Sequence, residues 1–458
     1  MNIRSNAIGL ALFGLMSLGI SGCSNFLEPT PENNISSEQV FTDEAGATAA
    51  LTGAYGALTD ISYWGGVYPI FADLAADNLI WNGSYQTWAQ VKNRAIQSDN
   101  ADVTNMWYDI YRVINRANNV IAYTPTVASI PDANKTQLIA QAQFLRAVAL
   151  FDATRFWGDV PIVLTPTVEP GATLNVARSP QTQVYDQIKA DLDAAEAVLP
   201  DASAGRATKW AAKALKARLA LYRGDWQAAS DLADQIIASG KFQLLSDYRA
   251  IWTTENSAES IWEIQFEATG NKSYEAFYML PSTYGGRGEA STLGSTLTSA
   301  YETGDKRKDA TLSNGNFTST GTGTTKVTAG QEVKYWQANG EDNVRFIRYA
   351  EILLIGAEAR AKLGKNADAL VLLNQVRTRA GLAASTATSA STPTIQDVIA
   401  NERRVELALE GHRWFDLVRT GKAQNANTLN ITDPNKLLFP IPYREIQNNP
   451  NMKQNPGY

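Results

Sequence analysis

Along most of the chain the hydrophobic positions recur every three or four residues, the spacing that gathers them on one face of an α-helix. In "QAQFLRAVALFDATRFWGDVP" one stripe runs through Phe144, Val148, Phe151 and Arg155, and Gly158 and Pro161 end it. The same period predicts helices over 37–59, 104–123, 180–199, 209–223, 226–239, 344–363, 367–380 and 395–409. One stretch departs from it. In "SIWEIQF" (260–266) Ile261, Glu263 and Gln265 alternate with Trp262, Ile264 and Phe266, which predicts a strand.

Two helix pairs repeat each other. "ALKARLALYRGDWQAASDLADQI" and "LIGAEARAKLGKNADALVLLNQV" superpose at an offset of 140 residues, matching Ala217 with Ala357, Gly224 with Gly364, Ala229 with Ala369 and Leu232 with Leu372. Each is a helix that reaches a glycine, turns, and enters a second helix with a small residue at the crossing, the packing logic of a tetratricopeptide repeat. The long aperiodic stretch between the copies predicts a mainly α fold, a helical scaffold with long insertions and not a continuous solenoid. The insertions 62–88 and 269–290 are rich in aromatics, the second holding Tyr274, Phe277, Tyr278, Tyr284 and Arg287. The Gly/Thr/Ser/Asn run 311–331 and the Ala/Ser/Thr run 383–394 have too little apolar surface to fold alone and read as surface loops.

Composition adds little to this picture. The 458 residues, 44% apolar and 19% charged, are those of an ordinary globular chain, and the net charge of −6 argues against a nucleic-acid partner. The N-terminus adds more. Arg4 followed by the apolar run 7–20 is too short to span a bilayer and reads as the core of a signal peptide over 1–22. That run ends in Ile20-Ser21-Gly22-Cys23, small residues before the only cysteine of the chain. Cys23 is therefore the expected lipidation site, with 23–36 a flexible tether and 37–458 a single domain. An acyl anchor contributes about 0.8 kcal/mol of membrane affinity per buried CH₂.

Catalytic chemistry has few places to be built. The single histidine, His412, lies between Gly411 and a helix start and reads as structural. No His/Cys cluster has metal spacing and no phosphate-binding loop appears, so no cofactor and no metal are expected. Glu402, Glu406 and Glu410 follow at i, i+4, i+8, and the nearby Arg403, Arg404 and Arg413 are the expected counter-charges of an ion-pair network. Asp73 and Asp77 form a second i, i+4 pair beside the aromatic stretch, expected to hydrogen-bond a ligand, with helix capping the competing role.

What the composition does offer is binding. A pyranose has an apolar C–H face, which matches an aromatic ring, and a belt of hydroxyls, which matches amides, carboxylates and guanidiniums. "DNLIWNGSYQTW" places Asp77, Asn78, Trp81, Asn82, Tyr85 and Trp88 around a turn, with Asn78 and Asn82 expected at the rim. Trp81, beside the turn, is the first candidate for stacking, and Trp88 reads either as a second ring or as core.

Several blocks together are similar to one family: the lipobox, "FLRAVALFDATRFWGDVPIVL", "RFIRYAEILLIGAEARAKLG", "NQVRTRAGL", "ERRVELALEGHRWFDLVRTGK" and "LFPIPYREIQNNPNMKQNPGY". They resemble the SusD/RagB family of outer-membrane lipoproteins of Bacteroidetes over essentially the whole mature chain. The resemblance implies a helical fold with TPR-like pairs (around 104–160, 209–240 and 344–381) and no catalytic activity. It implies capture of oligosaccharides at the cell surface and delivery to a SusC-like TonB-dependent transporter in the outer membrane. It also makes Arg146, Glu351, Glu358, Arg404, Glu406, Glu410 and Arg413 fold residues, and puts the ligand in variable loops around 62–90, 269–290 and Trp336. Trp64, Tyr284, Arg287 and Trp336 join the candidate site on that ground. A peptide-binding module of the RagB kind, with a wider and more charged cleft, is the alternative, and a glycosidase using Asp73 or Asp77 is a third reading.

Overall fold

The computed structural model of the chain describes residues 37–167, 175–267, 269–270, 272–317 and 326–458. The signal stretch 1–22, Cys23 and the tether 23–36 lie outside the described residues, as does the centre of the 311–331 run.

The helix predicted over 37–59 is two pieces. A turn at Ser37–Val40 is followed by Glu44–Ala57 (α1), which restarts where the Asp43 side chain accepts a hydrogen bond from the Gly46 amide. The first insertion then folds inward. It contains Val67–Leu74 (α2), buried at every residue, the two-residue strand Ile80–Trp81 (β1) and Gln86–Lys92 (α3). Beyond it, Ala101–Tyr123 (α4), Asp132–Trp157 (α5), Gln181–Val198 (α6), Lys209–Arg223 (α7) and Trp226–Ala238 (α8) pack each on the one before.

The long stretch between the two repeats carries Ser260–Ile264 (β2), Glu275–Met279 (α9), Ala290–Ser291 (β3) and Val344–Arg348 (β4). Tyr349–Lys362 (α10) and Asn366–Arg379 (α11) follow, and α10 packs directly on α8 as well as on α11. The two repeats are thus neighbours in space. The long stretch between them is an insertion in a helical scaffold, as expected from sequence, and α8 and α10 pack together across it. Gly224 and Gly364, the matched turn residues, both take the left-handed conformation, with φ of 71° and 77°, that a side chain disfavours.

One correction concerns 344–363, expected to be helix throughout. Val344–Arg348 is instead a strand, antiparallel to β2 with Ser260 opposite Arg348 and Ile264 opposite Val344, and the helix starts only at Tyr349. All five strand residues are buried, so no polar face marks the alternation. This sheet packs on α5 where Trp262 meets Phe144 edge-on at 4.9 Å, and within the sheet Trp262 meets Phe346 of β4 at 5.0 Å between ring centroids. Behind it Asp152 of α5 accepts hydrogen bonds from Tyr63 (2.6 Å), Trp64 Nε1 (2.8 Å), Tyr68 (3.1 Å) and Arg155 (2.5 Å).

Ile395–Glu406 (α12), Arg413–Arg419 (α13) and Tyr443–Asn448 (α14) complete the fold. Glu402 and Glu406 on α12 and Glu410 just beyond it are buried, and their counter-charges come from elsewhere than expected. Arg307 binds Glu402 (2.6 Å) and Glu406 (2.9 Å), while Arg348 binds Glu406 (2.6 Å), Glu410 (2.8 Å) and Glu259 (2.9 Å). Arg377, Arg379 and Lys334 add further pairs. Arg403 instead pairs with Asp416 (3.1 Å). His412 precedes α13, and burial holds its imidazole down at about 3, so it is neutral at physiological pH. The tail is tied to the end of α5, where Trp157 Nε1 donates to the Pro440 carbonyl (2.9 Å) and the Phe439 amide to that of Phe156 (2.8 Å). Among the described residues no helix is long and apolar enough to cross a membrane, and no group of three or more His, Cys, Asp or Glu is placed to hold a metal ion.

Candidate functional site

The two aromatic insertions, far apart in sequence, meet through β1 and β3. Ile80 lies opposite Ser291 and Trp81 opposite Ala290, and the Asn82 amide extends the pairing by donating to the Glu289 carbonyl (2.8 Å). Directly after β1 the turn Asn82-Gly83-Ser84 folds back under the Trp81 ring. A Cβ on Gly83 would lie 2.3 Å from Trp81 Cζ2, so only glycine lets the ring rest on the turn.

A column of rings follows from this pairing. Trp81 stacks on Tyr85 (centroids 6.1 Å, planes 21° apart) and lies 4.6 Å from Trp88, which in turn lies 4.6 Å from Tyr278 and 5.1 Å from Phe71. The column is graded in exposure. Trp88 is 1% exposed, Trp81 partly buried, and Tyr85 at the open end is 41% exposed. Arg287 stands over Tyr85, its guanidinium carbon 5.0 Å from the ring centroid. It donates to the Tyr85 hydroxyl (2.9 Å) and to Glu289 (2.7 Å), and Asn82 is exposed beside them.

Part of the candidate list therefore assembles: Trp81, Asn82, Tyr85 and Arg287, with Trp88 as the buried foot of the column. The rest is placed differently. Trp64 is 2% exposed and belongs to the Asp152 cluster. Asn78 is fully buried, its amide nitrogen donating to Asp73 (2.6 Å) and its oxygen accepting from Arg404 (3.0 Å), so it holds the base of the loop and not its rim. Asp77 is clamped by Arg413 (2.6 and 2.9 Å) and Arg404 (3.2 Å). Burial works to raise its carboxyl, but the two guanidiniums outweigh it and hold Asp77 below the usual carboxylate range. Asp73 also accepts from the Gly411 amide, and burial pushes its carboxyl up to about 6. Both carboxylates of the Asp73–Asp77 pair are thus spent on the scaffold, as are Arg404 and Arg413. Tyr284 and Trp336 sit in adjoining loops, which meet where Gly285 packs on Ala338, and neither ring joins the column.

Tyr278, Phe71 and Glu289 were not singled out for the site by sequence. Tyr278 stood among five large side chains in its insertion with nothing to rank it, and its role depends on the β1–β3 pairing, whose two-residue strands carry no readable period. Chemically the open end presents an exposed tyrosine ring, a guanidinium and an amide, and the largely buried Glu289 carboxylate holds the guanidinium in place. That set suits a ligand with an apolar face and hydroxyls along its edge.

Comparison with known proteins gives consistent results. A family described as "Starch-binding associating with outer membrane" matches residues 25–221, and the SusD family matches residues 283–458. SusD-like protein P38 of Formosa agariphila is 28% identical over 98% of this chain and 99% of its own length. Among solved structures, a laminarin-binding SusD-like protein superposes with a TM-score of 0.78 at 26% identity, over 91% of this chain and 100% of that one. Surface glycan-binding protein A from Bacteroides thetaiotaomicron, in complex with laminarihexaose, superposes with a TM-score of 0.73 at 25% identity, over 90% of this chain and 100% of that one. With family models matching residues 25–221 and 283–458, and a SusD-like structure superposing over 91% of the chain, this protein belongs to the SusD-like family.

Proposed function

We propose that the protein binds oligosaccharides without cleaving them, as a lipoprotein anchored through Cys23 at the outer membrane, and passes them to a SusC-like TonB-dependent transporter. The observation that carries the binding step is the ring column of Trp88, Trp81 and Tyr85, which ends in an exposed ring flanked by Arg287, Glu289 and Asn82. Its gradient of exposure fixes the Tyr85 ring from below while leaving it open to a ligand, so little side-chain entropy remains to be lost on binding. Relatives that bind laminarin and laminarihexaose support a β-glucan as the first ligand class to try.

A glycan array probed with the soluble chain from residue 24 tests this reading. Binding to a defined set of oligosaccharides, with no reducing ends released on prolonged incubation, is the expected result. Binding to a peptide library with no glycan retained would instead support the peptide-capture alternative.

A further inference from the structure

A second cleft opens between the first turns of α4 and the C-terminal helix α14, with a cavity of about 310 Å³. Its walls are two tyrosine rings. Tyr443, on the first turn of α14, is 50% exposed and has no ring neighbour among the described residues, and Tyr108 on α4 faces the same space. Around them stand Asp99, Asn105, Arg444 and Gln447. Arg444 lies against the Tyr108 hydroxyl, while no side-chain hydrogen bond within the described chain is made by Asp99, Asn105 or Gln447.

The chemistry of this lining selects among ligands. Asp99 and Arg444 line the cleft and the Glu445 carboxylate acts on the Tyr108 hydroxyl beside Arg444, so two carboxylates stand against one guanidinium and an anion is not favoured. The two amides bring donors and acceptors in equal number. Two tyrosines with a rim of amides, carboxylates and a guanidinium match a carbohydrate. The size agrees, since a cavity of roughly 150 Å³ holds a benzene ring, and this cleft has room for about two such rings.

The frame is rigid. The Tyr443 amide donates to the Ser98 carbonyl (2.8 Å), and Gln454 bonds both the amide (2.7 Å) and the carbonyl (2.8 Å) of Ile441. Asn100, beside the cleft, donates to the Thr87 carbonyl (2.9 Å) and to Gln90 (2.8 Å) of α3, the helix that begins immediately after Tyr85. The cleft is therefore one short helix away from the ring column.

We propose that the cleft between Tyr108 and Tyr443 is a second carbohydrate subsite, occupied by a neighbouring stretch of the same polysaccharide or by a second chain. The proposal rests on the glycan-binding reading of the first site. Native electrophoresis through gels containing laminarin, starch, xylan or no polysaccharide tests it, with laminarihexaose titrated into the same proteins in solution. Tyr443→Ala, an exposed-residue change that leaves the melting temperature unaltered, is expected to weaken retention by the polymer about fivefold while leaving the hexasaccharide affinity of the first site within twofold. Asn105→Ala is expected to act in the same direction. Wild-type retention of both variants in every gel that retards the parent overturns the second subsite alone. No retardation of the parent in any gel overturns the glycan reading and this proposal with it. Unchanged retention combined with weaker co-purification with the transporter would reassign the cleft to partner docking and also overturn it.

Discussion

Trp88 is surrounded by Phe71, Trp81 and Tyr278 and is almost wholly buried, so truncating it leaves a cavity that three aromatic neighbours cannot close. Trp88→Ala is expected to lower stability by about 3–5 kcal/mol, measurable by chemical denaturation. Any loss of binding would then follow from the loss of fold. A second residue-scale prediction concerns Glu332, buried with one carboxylate oxygen unpaired. Burial pushes its carboxyl up to about 8. A carboxyl raised in the folded state stabilises fully below its unfolded value and loses that contribution as pH rises through the folded one. Stability should therefore fall by a few kcal/mol towards pH 8, with Asp73, raised to about 6, contributing only the lower part of the slope. Glu332→Gln should flatten the decline between pH 6.5 and 8 in thermal melts, and an unchanged slope would contradict a neutral Glu332.

At the scale of elements, the buried ion pairs that join β4 to α12 hold the stretch between the two repeats against the helical row. Arg348 is 1% exposed and meets Glu259, Glu406 and Glu410. Arg348→Met leaves three carboxylates without this partner and should cost about 3–5 kcal/mol. Arg112→Ala, which removes an exposed pair with Asp60, should cost under about 1 kcal/mol. The same network shows where sequence reading stops. The helices were legible because each buries one stripe, and 209–223 agrees with Lys209–Arg223 at both ends. Strand β4 was not, because Arg345 and Arg348 are buried in ion pairs and the alternation of faces disappears from the sequence. The partners of Glu402, Glu406 and Glu410 were illegible for a related reason. Neighbours in sequence supplied charges of the right sign, but Arg403 turns towards Asp416 while Arg404 and Arg413 turn towards Asp77.

For the whole molecule, the candidate site is half legible. Aromatics beside a turn pointed to the 62–88 insertion, and five of the residues named there and in 269–290, Trp81, Asn82, Tyr85, Trp88 and Arg287, do converge. The exposure gradient was invisible, because it depends on a β1–β3 contact between segments separated by most of the helical row. It moves the leading ring from Trp81, which is already stacked, to Tyr85. The proposed anchor belongs to this scale too. Cys23→Ser is expected to move the protein from the membrane fraction to the soluble fraction after cell lysis, with glycan affinity unchanged, since the binding loops lie far along the chain from the tether.

The central claim is that the Tyr85 end of the ring column meets the glycan. Isothermal titration of the soluble protein with the best glycan from the array tests it directly, comparing wild type, Tyr85→Ala and Arg287→Ala. The expected result is a loss of about 1 kcal/mol or more in binding free energy for Tyr85→Ala, a smaller loss for Arg287→Ala, and melting temperatures equal to that of the parent. Wild-type affinity in a folded Tyr85→Ala protein would contradict the account.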